Sequence, residues 1–176
     1  MKKLTLVLVL VLLCVSTGYS FDGMRKGFVL GGGLGFAPSA TFEIDGFQGQ
    51  LDNSGVGLNL VIGYAWDEFN MIVYEGNVAA YSVEGYDISQ GFNGASWYHY
   101  FSEMGKSAYI VVGLGAYVFQ VDQYDADPGG ALLLGGGYEF ARHWQVGAYF
   151  STGKTSESSL DFKHSHFNIL VSGVAF

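Results

Sequence analysis

The sequence predicts an all-β fold in which eight antiparallel strands close into an up-and-down transmembrane β-barrel. Eight stretches alternate apolar residues with polar or small ones, and this period of two is typical of strands and not of helices. Short and long connections alternate between the stretches, as in transmembrane barrels with tight turns at one end and loops at the other. After the first 20 residues no run of 18 consecutive apolar residues occurs, which excludes helical membrane spans.

Residues 1–20 predict a cleaved signal peptide, which leaves residues 21–176 as a single barrel domain. Lys2 and Lys3 precede an apolar run from Leu4 to Val15, and small residues lead to a cleavage site after Ser20. The run has about a dozen residues, and a membrane-spanning helix needs about 20. The only cysteine, Cys14, lies in this segment, so the mature chain is expected to contain no disulfide.

Each predicted strand has an outward apolar face and an inward face of polar or small residues. The predicted strands are 27–38, 55–66, 70–83, 95–101, 108–121, 130–140, 144–153 and 163–176. In the clearest one, Val56, Leu58, Leu60, Ile62, Tyr64 and Trp66 share the outward face. The fifth strand is apolar on both faces, and we place Ile110, Val112, Leu114, Ala116 and Val118 outward. In the last, the outward set is predicted to be Leu170, Ser172, Val174 and Phe176.

The connections predict the orientation of the barrel in its membrane. Those at 67–68, 102–107 and 141–143 are short, whereas those at 39–54, 84–94, 122–129 and 154–162 are longer and polar. Short turns face the periplasm in such barrels and long loops face outside. Aromatic residues flank the short turns, which is typical of the membrane–water boundary. The predicted interfacial aromatics are Tyr64, Trp66, Phe69, Tyr138, Phe140 and Trp144, with Tyr98, Tyr100 and Phe101 at the middle turn.

Composition and charge exclude several functions. The net charge of −8 makes nucleic acid an unsuitable partner. The 27 glycines form no phosphate-binding motif with Lys and Ser/Thr, and no cofactor is expected. At inward positions, glycine leaves space for larger side chains in a narrow barrel. Ten of the 16 acidic residues fall in the four long connections, where divalent cations could bridge them to anionic lipopolysaccharide.

The inward polar residues predict a hydrogen-bonded network inside the barrel. Its members are Glu75, Asn77, His99, Glu139 and Gln145. Counting back from the tight turn near residue 142 pairs Glu139 with Gln145. Counting across the second long connection brings Asn77 near His99, with Glu75 one step away. A carboxylate beside a histidine could instead serve as an acid–base pair, although a dry interior requires bonded polar groups in any case.

The run His164-Ser165-His166 allows two further interpretations. Two alternating histidines point the same way and could bind a metal, but further ligands are missing. A Ser–His pair could cleave lipid, as in outer-membrane lipid A deacylases, but the His-x-Ser-Asn run of that family is absent. A polar strand at the rim of the barrel explains the run more simply.

The glycine-rich strand Gly27–Pro38, the strand end Tyr138-Glu139-Phe140 and the closing Ser172–Phe176 resemble the small outer-membrane β-barrel superfamily of the OmpA/OmpX type. The resemblance covers the whole mature chain. It implies a location in the bacterial outer membrane among lipid and lipopolysaccharide, and recognition of Phe176 by the barrel-assembly machinery. The expected role is structural or surface-interacting, through the external loops and without enzymatic activity. The alternatives are a narrow channel or shuttle for small or apolar solutes and a lipid-modifying enzyme.

Overall fold

The chain forms a closed, antiparallel β-barrel, described here from a computed structural model for residues 24–44, 47–51, 54–83, 86–121, 124–157 and 160–176. The strands are β1 (Gly27–Ile44), β2 (Phe47–Leu51), β3 (Gly55–Ala65), β4 (Asn70–Val83), β5 (Tyr86–Tyr100), β6 (Ser107–Val121), β7 (Tyr124–Asp125), β8 (Asp127–Ala141), β9 (Trp144–Glu157) and β10 (Leu160–Ala175). Eight of them make the wall, while β2 extends a hairpin with β1 and β7 pairs with the end of β6.

Each wall strand pairs with its neighbours along the chain, and β10 pairs with β1 to close the ring. Closure satisfies the backbone donors and acceptors that an open sheet would expose at its edges. This is the predicted eight-stranded up-and-down barrel, so the predicted fold class is confirmed. Within the part of the chain that the structure describes, no helix is long and apolar enough to cross a membrane. The predicted signal peptide, residues 1–20, lies outside the described residues.

The outer surface of the wall carries a continuous band of exposed apolar side chains. It includes Phe28, Leu34, Phe36, Leu58, Leu60, Ile62, Ile72, Ile110, Val112, Leu114, Leu132, Leu134, Val146, Phe150, Ile169 and Val171. Water would disfavour so large an apolar surface, whereas lipid accommodates it. The outward and inward faces predicted in the segments 27–38, 55–66, 70–83, 108–121, 130–140 and 144–153 are confirmed. The wall is therefore built to lie in a bilayer.

Most of the wall strands are longer than the sequence predicts. The long connections were expected to be loops, but much of each is paired strand, and pairing between β4 and β5 continues to Val83 and Tyr86. The predicted strand 95–101 is in fact Tyr86–Tyr100. About 9–11 tilted residues cross a bilayer, and β1 has 18. The hairpins therefore continue beyond the apolar band, because antiparallel pairing satisfies the backbone in water as it does in lipid.

The face predicted for the last strand is wrong by one residue. Leu170, Ser172 and Val174 are buried inside the barrel, and Ile169 and Val171 point outward. The Cα partners of the three inward residues on β1 are Gly35, Gly33 and Gly31, respectively. Both faces of β10 carry apolar residues, so the alternation alone does not show which face points inward. The three inward glycines of β1 leave space, and the larger inward side chains of β10 fill it.

The short turns lie at one end of the barrel and are locally bonded. In the first, Asp67 accepts hydrogen bonds from the backbone amides of Phe69 and Asn70, at 2.8 and 2.7 Å, and from the Asn70 side chain. Desolvation alone would raise the pKa of Asp67, but these hydrogen bonds outweigh it and lower the pKa. In the third, His143 adopts a positive φ of 66°, and its Nδ1 lies 2.9 Å from the Val174 carbonyl oxygen on β10. The turns are thus tied to neighbouring strands.

Candidate functional site: the polar lumen and its two ends

The short-turn end of the lumen is closed by a buried ion pair. Arg25, just before β1, forms a salt bridge with Glu139 of β8 and donates hydrogen bonds to the carbonyl oxygens of Glu68 and Ser102. The Gly105 amide donates to the same Glu139 oxygen at 2.8 Å. Arg25 is 1% exposed and Glu139 2%. The pair therefore joins two turns and a strand across the opening of the barrel.

Aromatic rings surround this ion pair. The Arg25 guanidinium lies 3.7 Å from the centroid of the Tyr100 ring and 6.0 Å from that of Phe176, both within the range of a cation–π contact. Tyr100 in turn donates a hydrogen bond to Gln145 at 2.8 Å. The terminal Phe176 is buried and stacks with His143. It therefore helps to seal this end of the lumen.

A second layer of bonded side chains fills the middle of the lumen. Glu75 is fully buried and accepts hydrogen bonds from Tyr98 at 3.0 Å and from the Asn77 amide group at 3.2 Å. The Asn168 amide group donates to Asn77 at 2.8 Å and so links β4 to β10 across the interior. A separate bond, Ser172 to Asn59 at 3.2 Å, lies beside it. Such bonding compensates the desolvation of polar groups in a narrow interior.

Glycines on β8 and β9 make room for two tyrosines in this layer. Tyr109 and Tyr149 are buried, and their hydroxyl oxygens lie 2.8 Å apart. A Cβ on Gly147 would lie 2.8 Å from the Tyr149 ring and would overlap the Tyr109 hydroxyl. Gly137 is the Cα partner of Gly147, and a Cβ on Gly137 would lie 2.6 Å from the Tyr109 hydroxyl oxygen. The glycines are therefore a packing requirement of a filled lumen.

A third group of side chains lies toward the long hairpins. His166 Nδ1 lies 2.8 Å from Ser151 Oγ and 3.0 Å from the Tyr117 hydroxyl, which also donates to Gln90 at 3.2 Å. His164 Nε2 lies 2.8 Å from Thr155 Oγ1. These side chains are nearly all buried. Together they cover the lumen at the hairpin end.

His164 is held between aromatic rings above the apolar band. Its ring stacks on Phe119 at 4.5 Å and on Tyr117 at 5.4 Å between centroids. On the outer surface nearby, Thr41 and Ser165 are hydrogen-bonded at 2.6 Å, so the wall is polar there and lies outside the membrane. Burial lowers the pKa of His164 to about 4. The imidazole is therefore neutral at physiological pH.

Neither sharper interpretation of the His164-Ser165-His166 run matches this geometry. Both histidines point inward, and Ser165 points outward to Thr41. No group of three His, Cys, Asp or Glu side chains that could hold a metal occurs among the described residues. The hydrogen-bonded pair is instead Ser151 and His166, which are 1% and 2% exposed. A Ser–His pair without access for a substrate is a structural contact.

The structure brings together four of the five polar residues predicted to share the lumen. Glu75, Asn77, Glu139 and Gln145 are buried in it, and Glu139 and Gln145 are Cα partners. The prediction for His99 is wrong, because its side chain lies on the outer face between Trp97 and Phe101 and contacts Asn70 at 2.9 Å. The predicted proximity of Asn77 and His99 is also wrong, since the Cα partner of Asn77 is Phe92 and that of His99 is Asn70.

The register of β5 also corrects the aromatic residues at the middle turn. Tyr98 and Tyr100 are buried in the lumen, and only Phe101 is exposed. The structure places the other predicted aromatics on the outer surface near the short turns, namely Tyr64, Trp66, Phe69, Tyr138, Phe140 and Trp144. Their position at a membrane boundary stays a prediction, as does recognition of Phe176 during assembly. Asp122, one of the acids predicted to attract divalent cations, lies outside the described residues.

Sequence reasoning missed Arg25, the residue that closes the short-turn end. It precedes the first predicted strand, so it belongs to no alternating pattern. The available signal was charge: two inward glutamates in a chain with eight basic residues require either a cation or several hydrogen-bond donors. Tyr109 and Tyr117 were missed for another reason, since the fifth predicted strand was read only for its apolar outward face.

Solved structures show which fold this is. Neisserial surface protein A (NspA) matches with a TM-score of 0.57 and 14% identity, covering 84% of this chain and 97% of that one. This chain has the fold of small outer-membrane β-barrels. Ail, the attachment invasion locus protein of Yersinia pestis, matches at 0.55 and 15% identity, covering 86% of this chain and 99% of Ail. Ail has also been solved with the heparin analogue sucrose octasulfate, and that structure matches at 0.54. No family model matches this sequence, and neither does any curated protein sequence.

Proposed function

We propose that this chain is an outer-membrane barrel protein with a closed lumen that acts at the cell surface through its external hairpins. The observation that carries this proposal is the filled interior. The Arg25–Glu139 pair, the layer around Glu75 and the group around His166 close the lumen at three successive levels. A barrel of eight strands is just wide enough for its interior to be filled in this way. The outer surface is then the place for function.

The hairpins supply the surface for this role. Paired strands continue beyond the apolar band, so the backbone there is held by hydrogen bonds and little ordering is needed on binding. We infer non-enzymatic recognition, since the Ser151–His166 contact in the lumen is inaccessible. Assembly through the barrel-assembly machinery and contact with lipopolysaccharide belong to the same proposal and follow from the fold.

Charge indicates what these hairpins bind. The four long connections contain ten acidic residues and one lysine. Ail was solved with a polyanionic sugar, but an acidic surface repels polyanions and attracts cations. We therefore infer a partner with a basic surface, or an anionic one bridged by divalent cations, for the hairpin end of this protein.

Binding experiments on the refolded barrel in nanodiscs test the hairpin role. The wild type should bind a polylysine surface, should not bind a heparin surface without divalent cations, and should lose polylysine binding when the ten hairpin acids become amides. The control at the opposite end is Glu68→Gln with Glu103→Gln, which removes two exposed acids there. Equal loss in the control, or tight heparin binding by the wild type without divalent cations, would contradict the proposal.

Planar-bilayer recordings separate the closed lumen from the channel alternative. The purified barrel should insert and show no steady unitary conductance, because bonded side chains lie across the lumen at three levels. Unitary currents that change with Glu75→Gln or Glu139→Gln would show that ions pass through the lumen. That result would replace the surface-interaction proposal by a narrow channel.

A further inference from the structure

The basic residues of this chain are divided unequally between the two ends of the barrel. Of the eight, two lie in the predicted signal peptide and four lie near the short turns: Arg25, Lys26, Lys106 and Arg142. The remaining two are Lys154 on β9 and Lys163 on β10. They are Cα partners in the same hairpin. Every cation at the hairpin end is therefore concentrated at one register position.

Both lysines are exposed on the outer surface, where one row of outward polar residues, Thr152 and Ser165, separates them from the apolar band. Inward neighbours of Lys163 on β10, such as His164, are buried, and the next outward residue, Ser165, bonds to Thr41. Like charges directly opposite each other destabilise a strand pair. The Cα partner of Lys163 on β1 is Glu43, so two basic residues and one acidic residue share this row.

An apolar groove begins beside the lysines and descends along the outer wall. Its volume is about 540 Å³, and its lining includes Lys154, Lys163, Leu114 and Leu132. Leu114 is 66% exposed. Gly130 also lines it, and a Cβ at that position would meet no atom within 4 Å. The groove therefore has cationic groups at its membrane-surface end and leucines within the apolar band.

We propose that this groove binds one phosphate-bearing lipid of the surrounding leaflet. The phosphate would lie against the ammonium groups of Lys154 and Lys163, and an acyl chain would lie between Leu114 and Leu132. The two lysines would attract the negatively charged phosphate. The depths of the lysines and the leucines also fit a membrane lipid, whose phosphate lies at the membrane surface and whose acyl chain lies below it. The inference rests on the proposed membrane location, but on neither the closed lumen nor the hairpin role.

The test measures binding of phosphorylated lipid A to the refolded, detergent-solubilised barrel by native mass spectrometry. K154Q/K163Q should weaken binding about tenfold or more, which corresponds to about 1.4 kcal/mol. The control K26Q/K106Q removes the same charge from two exposed lysines at the short-turn end and should leave affinity unchanged. Gly130→Leu fills the groove and keeps both lysines, so it should weaken lipid A binding as well.

Other probes separate lipid from phosphate. Inorganic phosphate and dephosphorylated lipid A should each bind much more weakly than phosphorylated lipid A. Equal binding of inorganic phosphate, unchanged affinity in K154Q/K163Q, or equal losses in the two lysine pairs would overturn the inference. Insertion of the wild type into vesicles of neutral lipid is measured in parallel. If it inserts and no lysine dependence appears, only this site is wrong; if it does not insert, the membrane location is wrong.

Discussion

Replacing Arg25 by methionine should strongly destabilise the barrel, because it leaves Glu139 buried without its cation. The variant loses the ion pair with Glu139, a hydrogen bond to Ser102 and the contact 3.7 Å from the Tyr100 ring. Glu139 stays buried, with the Gly105 amide still donating at 2.8 Å. Breaking one side of a buried pair costs about 3–5 kcal/mol. The remaining donor places the expected loss near the lower bound, at about 3 kcal/mol.

The assay is reversible urea unfolding from phospholipid vesicles, followed by tryptophan fluorescence. Arg25→Met with Glu139→Gln should recover much of the loss, because no unpaired charge is left in the lumen. Lys26→Met, at the exposed neighbouring residue, should change the free energy of unfolding by less than about 0.5 kcal/mol. The reasoning is refuted if Arg25→Met lies within about 1 kcal/mol of the wild type, or if the double variant is as unstable as the single one.

Three further changes test other parts of the structure. Leu60→Arg, in the middle of the apolar band, should cost about 2–4 kcal/mol in vesicles, whereas Tyr86→Arg near a hairpin tip should cost little; equal costs would mean that the membrane position is wrong. Phe176→Ala should lower the amount of protein in the outer membrane of cells without a large loss of stability in vitro. A large loss of stability in vitro would mean that the residue acts through packing and not as an assembly signal. Burial lowers the pKa of His164 to about 4, whereas histidine in an unfolded chain has a pKa of about 6.5. Between these two pH values the unfolded chain binds more protons than the folded one, so stability is lost as pH falls through this window. His164→Phe should make that part of the stability profile shallower, and an unchanged slope would exclude His164 as a contributor.

The barrel could be predicted from the sequence where the two faces of a strand differ in chemistry. Residues 55–66 alternate large apolar residues with Gly, Asn and Val, and only one register buries Asn59 and exposes Leu60. The last strand fails this condition, since Leu170 and Val171 are equally apolar. Its register depends on the glycines of β1 across the closure, a contact between the two ends of the chain that no local pattern contains.

The lumen network was predicted only where counting began from a tight turn. Glu139 and Gln145 lie close to the turn at Arg142 and are paired as expected. His99 follows a hairpin that is longer than predicted, and the residue count across it placed the side chain on the wrong face. Tyr98 was assigned to the membrane boundary by its aromatic character, although the inward glycines of the other strands leave space for it inside.

Filling the lumen also has a consequence for the hairpins outside the membrane. A barrel with an open interior can deform, since few side chains cross between opposite walls. Here the Asn77–Asn168 bond joins β4 to β10, and the Tyr109–Tyr149 pair joins β6 to β9. The same four strands continue into the external hairpins. Cross-wall bonds therefore fix the positions from which the hairpins project, and this rigidity reduces the entropy lost when a partner binds. A variant that removes a cross-wall bond, such as Asn168→Ala, should accordingly weaken hairpin binding without altering any residue that contacts the partner.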